Sequence, residues 1–118
     1  MPLHCLGLNH RSAPLAALEQ AHLTPDLVVG ALQRISRPAE QPSGPPLEMA
    51  LLSTCNRVEL YTWQDDRHDD ESRLVSTLAQ AAGLEPSQLE AHLYHYTDSQ
   101  AAWHLLRVAA GLDSMVVG

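Results

Sequence analysis

The chain has no phenylalanine, two tryptophans and three tyrosines, so leucine, valine and alanine must fill most of its core. It has no lysine either. Its seven basic residues other than histidine are all arginine, set against fourteen Asp and Glu, for a formal charge of −7. Domains that track a phosphate backbone carry a basic patch to neutralise it. The composition therefore argues against broad backbone binding, and any nucleic acid is held mainly elsewhere or only at one end. No apolar run approaches the ~20 residues that span a bilayer. The start, Met1-Pro2-Leu3-His4, lacks the basic and apolar regions of a secretory signal. Two cysteines, Cys5 and Cys55, make no disulfide framework, and a reducing, cytoplasmic setting is expected. A Gly-rich phosphate loop and a dinucleotide fingerprint are both missing.

What is present fits a single domain, 1–118, with an ordinary apolar share of 45%. Residues 3–9 read as a strand apolar on both faces. Asn9 to Pro14 breaks that pattern, with Ser12 placed to cap a helix over 13–23. Thr24 and Pro25 open a second helix reaching about Ser36. Residues 37–46 form a proline-rich loop. A strand over 48–54 has its buried centre at Ala50, Leu51 and Leu52. Residues 58–63 alternate with period two, and Cys55-Asn56-Arg57 is the turn between these strands. After an acidic turn over 64–71, a helix over 71–82 carries Leu74, Leu78 and Ala82 on one stripe and stops at Gly83. Ser87 and Glu90 have capping-box spacing, and 92–96 suits an edge strand. Thr97 and Gln100 repeat that spacing before a last helix to about Asp113, with the stripe Ala102, Leu105, Leu106, Ala109 and Leu112. The order predicts an α+β fold, the ferredoxin-like β-α-β-β-α-β antiparallel sheet with helices on one face plus a C-terminal helix.

Cys55 is the sharpest chemical feature. It follows a strand in a tight turn flanked by Thr54, Asn56 and Arg57, and a nearby cation favours the reactive thiolate. A free cysteine is also commonly a small buried hydrophobe, and the residues alone leave both readings standing. His104, Arg107, Gly111 and Ser114 share one helical face. At ~1.5 Å per residue, His104 and Ser114 lie ~15 Å apart, the length of an aminoacyl-adenosine; a solvated helix face is the other reading. His10 and Arg11 read as ordinary loop polarity, and Cys5 as core. His92 and His95 lack the companions of a metal site, so none is expected.

Three segments resemble the glutamyl-tRNA reductase family. Gly7-Leu8-Asn9-His10-Arg11-Ser12-Ala13-Pro14 is similar to its opening motif, and Leu51 to Tyr61, with Ser53-Thr54-Cys55-Asn56-Arg57, to its active-site segment. His104 to Ser114 resembles the motif that closes its catalytic domain. The resemblance implies that Cys55 attacks the ester of glutamyl-tRNA to give a glutamyl thioester, which NADPH reduces to glutamate-1-semialdehyde for tetrapyrrole and heme synthesis. It implies that His104 is important for activity, and that Thr54, Cys55, Asn56, Arg57 and Ser114 contact substrate. Arg57 suits a bidentate grip on the substrate carboxylate. Family members continue into NADPH-binding and dimerisation domains. This chain stops at Gly118, within the third motif, so it is expected to bind no cofactor and to be unable to complete the reduction alone. Glutamate-1-semialdehyde aminotransferase is the implied downstream partner. Two other readings remain: a stand-alone thiol acyl-transferase or esterase, and a non-catalytic interaction module.

Overall fold

The computed structural model describes residues 3–36, 48–63 and 70–111. Strands β1 (Leu3–Asn9), β2 (Glu48–Thr54), β3 (Arg57–Trp63) and β4 (Tyr94–Thr97) form one sheet in the order β2-β3-β1-β4, antiparallel at each pairing. Helices α1 (Leu15–Ala21) and α2 (Pro25–Ser36) join β1 to β2; α3 (Asp70–Ala82) and α4 (Pro86–Glu90) lie between β3 and β4; α5 (Asp98–Ala109) follows β4. The expected α+β class and antiparallel sheet are present. Among the described residues no helix is long and apolar enough to cross a membrane.

Side-chain alternation sorts the two central strands between two environments. Leu6 and Leu8 of β1 and Val58 and Leu60 of β3 point to one face, where they pack with Leu18, Leu23, Leu74, Leu78 and Leu89 from the helical layer and its connections. Each such side chain contributes roughly 1.5–3 kcal/mol on burial, so this face holds most of the core. The opposite face carries Cys5, Tyr61 and Ala101 as a smaller cluster, with Tyr94 and Tyr96 packed against it. There α5 contacts β1 and β4.

Several local expectations change. Ala50 and Leu52 are exposed, and Met49 and Leu51 are half-buried. β2 is an edge strand that meets α2 on one side, so an apolar run here is not buried on both faces. Ser12 does not cap α1. Its Oγ accepts the Asn9 N–H at 3.0 Å, and Asn9 Oδ1 accepts the N–H groups of Arg11 and Ser12 at 2.9 and 3.1 Å. This self-bonded turn moves the N-cap to Pro14. Thr24 does face the start of α2, with the Leu27 N–H 3.5 Å from its Oγ1. The capping box of α4 joins Glu85 and Gln88 rather than Ser87 and Glu90, because Pro86 takes the first helical position. Gly83, at φ 74°, ends α3 as expected.

The largest difference is in α5. Ala101 and His104 are its buried residues, whereas Trp103, Leu105 and Leu106 are exposed. The helix is rolled from its predicted orientation, because its polar histidine finds acceptor and aromatic partners on the sheet. It ends at Ala109, before Gly111 at φ 78°, rather than near Asp113. The proline-rich loop 37–46, the acidic stretch 64–69, and Leu112 and Ser114 lie outside the described residues.

Candidate active site

Glu59 is the centre of the site, although an acid in an alternating strand reads as solvent-facing. It sits mid-β3 and is fully buried. Its Oε2 accepts from Arg57 Nη1 at 3.1 Å and from the Tyr94 hydroxyl, and it contacts His104 Nε2. Its Oε1 accepts the Tyr61 hydroxyl at 2.7 Å. An unpaired buried carboxylate is costly, and this one is compensated by a cation and two phenols as well as an imidazole. Arg57, Glu59 and Tyr61 are alternate residues of β3, so one strand supplies three members. β4 supplies Tyr94 and α5 supplies His104. The tyrosine rings also pack around the histidine: Tyr96 and Tyr94 have centroids 4.8 and 5.3 Å from that of His104.

Proton affinities reflect this enclosure. Burial, followed by the charge of Glu59, pushes the Cys5 thiol up to about 12. Burial and then the hydrogen bond to Glu59 raise Tyr61 and Tyr94 above the usual phenol range. Cys5, Glu59 and His104 bring a sulfur, an oxygen and a nitrogen within 4.8 Å of one another. The set is poor for a cation, because its carboxylate already faces Arg57 and its thiol strongly retains a proton.

Gly7 makes room for Glu59. A Cβ there would come within 2.8 Å of both Glu59 Cγ and the Val58 carbonyl oxygen, and 3.0 Å from the Tyr94 hydroxyl. Backbone cannot yield as a side-chain tip can. Gly7→Ala should therefore cost about 1–3 kcal/mol, read as a lower urea midpoint; an unchanged midpoint would show that the strands separate freely here.

Cys55 lies exposed in the turn between β2 and β3, as the nucleophile reading requires and the buried-hydrophobe reading does not. The turn is held from two sides. His22 Nδ1 lies 3.1 Å from the Thr54 carbonyl oxygen and 3.3 Å from Ser53 Oγ, which accepts the Leu23 N–H. On the other side the His10 N–H donates to the Asn56 carbonyl at 3.1 Å. The end of β1 thus lies beside the Cys55 turn, joined to it by the His10 backbone and not by its imidazole. His10 Nδ1 is buried without a hydrogen-bond partner among the described residues.

An open groove of about 530 Å³ lies along the end of β1, β4 and α5; Asn9, Arg11, Tyr94, Tyr96, His104 and Arg107 contribute to its walls, and Thr54, Cys55, Asn56 and Arg57 do not. Asn9 is the register partner of Arg57, which links the groove to the strand that leaves the turn. Its volume falls in the range typical of ligand pockets, about 300–1,000 Å³. Arg57 and His104 therefore meet at Glu59, whereas Thr54, Cys55 and Asn56 belong to the neighbouring turn. Ser114 lies outside the described residues.

A sequence model described as the glutamyl-tRNAGlu reductase N-terminal domain matches residues 6–118. The chain belongs to this family. It is 45% identical, over 118 residues, to a glutamyl-tRNA reductase from Streptomyces avermitilis, covering all of this chain and 20% of that protein. It is 45% identical, over 119 residues, to one from Chromohalobacter salexigens, covering all of this chain and 26% of that one. The solved glutamyl-tRNA reductase from Methanopyrus kandleri superposes with a TM-score of 0.63 at 27% identity, covering 97% of this chain and 23% of the other. The chain thus spans a fifth to a quarter of the length of these family members.

Proposed function

We propose that this chain is the acylation domain of an NADPH-dependent glutamyl-tRNA reductase, with Cys55 as its nucleophile. The observation that carries the reading is an exposed cysteine in a strand-to-strand turn, tied through Asn56 to the end of β1 whose Asn9 and Arg11 line an open groove, in a chain of this family. The Cys55 thiolate adds to the ester carbonyl of glutamyl-tRNA. The tetrahedral adduct collapses with loss of the 3′ oxygen of the tRNA, which takes up a proton, and a glutamyl thioester remains. Covalent catalysis of this kind divides one hard step into two easier ones. Hydride from NADPH, bound by other parts of the reductase, would then release glutamate-1-semialdehyde for tetrapyrrole synthesis.

In this reading Thr54, Asn56 and Ser114 contact the substrate along with Cys55. Arg57 presents its planar fork to the substrate carboxylate, and Arg11 and Arg107 add positive charge along the groove. His104 supplies or removes a proton at the leaving oxygen. Only the aminoacylated end of the tRNA enters, which accords with the net charge of −7. A ferredoxin-like sheet is the matching fold, supported by the order β2-β3-β1-β4. A cytoplasmic protein accords with two free cysteines. Dimerisation and delivery of the aldehyde to glutamate-1-semialdehyde aminotransferase belong to the whole reductase.

The test is to incubate the chain with glutamyl-tRNA without NADPH, quench in acid, and determine intact mass. A glutamyl adduct that maps to Cys55 is the expected result. No adduct on folded protein with a free Cys55 thiol would overturn the reading of this chain as an acylation domain.

A further inference from the structure

We infer that Glu59 is a positioning residue of this site, whose carboxylate orients the Arg57 guanidinium and holds His104 by its Nε2–H. The inference rests on the acylation reading for its consequence, but not for its geometry. Oε2 contacts Arg57 Nη1, the Tyr94 hydroxyl and His104 Nε2 together. Arginine has no acceptor, so the oxygen facing it is an acceptor. An imidazole nitrogen against such an oxygen is held as the donor, because an unprotonated Nε2 would place two lone pairs together. When His104 is neutral, Nδ1 is then the nitrogen with a lone pair, and the exchangeable proton of the reaction passes through Nδ1. A buried acid that fixes a histidine's tautomer and orientation supports catalysis without itself taking the proton.

The surroundings make this arrangement rigid. Tyr94 and Tyr96 pack against the imidazole, Tyr61 binds Oε1, and Gly7 leaves no spare space beside Glu59 Cγ. The same carboxylate fixes one nitrogen of Arg57 and so sets the plane of its fork. The charged and titratable groups facing His104 are Glu59 and Arg57 from β3, Cys5 from β1, Tyr94 and Tyr96 from β4, and Arg107 along its own helix. Of these, Glu59 is in direct hydrogen-bonding contact with the ring.

Two readouts test the inference. The first is independent of activity: ¹⁵N-histidine NMR of the intact chain, with the His104 resonances assigned by loss in His104→Asn. A protonated Nε2 in the wild type, with a changed nitrogen shift in Glu59→Gln, is expected. An unprotonated Nε2 in the wild type overturns the inference. The second is the single-turnover rate of Cys55 acylation as a function of glutamyl-tRNA concentration and pH. Glu59→Gln should lower the maximal rate by about 10–100-fold and change the pH profile. Added to His104→Asn, it should give little further loss, as expected of residues acting as a unit.

Leu74→Ala, which opens a cavity in the opposite face's core, controls for lost stability: a comparable fall in rate there would overturn a positioning role. If Glu59→Gln does not fold, Tyr94→Phe removes one donor to the same oxygen and keeps the charge, and should slow acylation several-fold. A wild-type rate in a folded variant, or losses that multiply in the double variant, also overturns it. Absence of any wild-type adduct would count against the acylation reading alone, and the NMR result would still decide this one.

Discussion

Cys55→Ser should reduce formation of the glutamyl adduct by about 10⁴-fold or more, the scale of losing a catalytic nucleophile. Serine has nearly the same size as cysteine, and the turn is exposed, so its more polar hydroxyl stays in water and the fold should survive with an unchanged urea midpoint. What is lost is the thiolate, the reactive form of cysteine and a far better nucleophile than a hydroxyl. A residual adduct on the introduced serine would be an oxygen ester, distinguishable from a thioester by its resistance to neutral hydroxylamine. Cys5 cannot substitute for Cys55. It is buried, and with its thiol pushed up to about 12 only about one molecule in 10⁴ carries a thiolate at pH 8. Iodoacetamide should therefore label Cys55 at least about 10³ times faster than Cys5 in the folded chain, with the difference disappearing in urea. A full adduct in Cys55→Ser would move the nucleophile elsewhere, and His10 and His22, which brace the turn, would be the first groups to examine.

Much of this site is legible in the sequence because its chemistry is local. Period-two alternation over 58–63 marks β3, and the polar flanks of Cys55 mark its turn. The misses about burial share one physical origin, since burial depends on partners distant in sequence, whereas the shifted caps of α1 and α4 have local causes in the Asn9–Ser12 turn and Pro86. Ala50-Leu51-Leu52 looks buried, yet β2 lies at the edge, and only its pairing and the cover from α2 decide which side chains are shielded. In α5, Leu105 and Leu106 are more apolar than His104, and helical periodicity turns them inward. The sheet, however, presents a carboxylate and two tyrosines to that helix, so histidine is buried in their place. Glu59 escapes notice because an acidic residue in an alternating strand normally reads as the solvent face. The available signal is its company: Arg57 and Tyr61 share its side of β3, and Gly7 stands opposite it on β1, where a side chain would exclude it. His10 is easily discounted because hydrogen bonding between the end of β1 and the Cys55 turn follows from the β1–β3 register, which joins segments far apart in the chain.

The buried polar cluster should also make the domain labile to alkali. In the unfolded chain the Cys5 thiol ionises near its ordinary value of 9.0, whereas the folded chain retains that proton to about 12. The unfolded state therefore loses its proton first. The stabilisation is complete below pH 9 and is lost progressively as the pH rises toward 12. At ~1.36 kcal/mol per pH unit, full loss over those three units amounts to about 4 kcal/mol, a large part of the ~5–15 kcal/mol that holds a domain together. Tyr61 and Tyr94 act in the same direction above their ordinary 10.0, because burial and Glu59 raise both. Urea midpoints measured under reductant at pH 8, 9, 10 and 11 should fall steeply above pH 9. Cys5→Ala should flatten the fall between pH 9 and 10, where the phenols have barely begun to contribute, and Tyr94→Phe should flatten it above pH 10. The comparison is one of slopes, since Cys5→Ala also removes packing at every pH. A wild-type midpoint that is level to pH 11 would mean that Cys5 and the two phenols ionise as readily in the folded chain as in the unfolded one, and hence that water reaches the floor of the site.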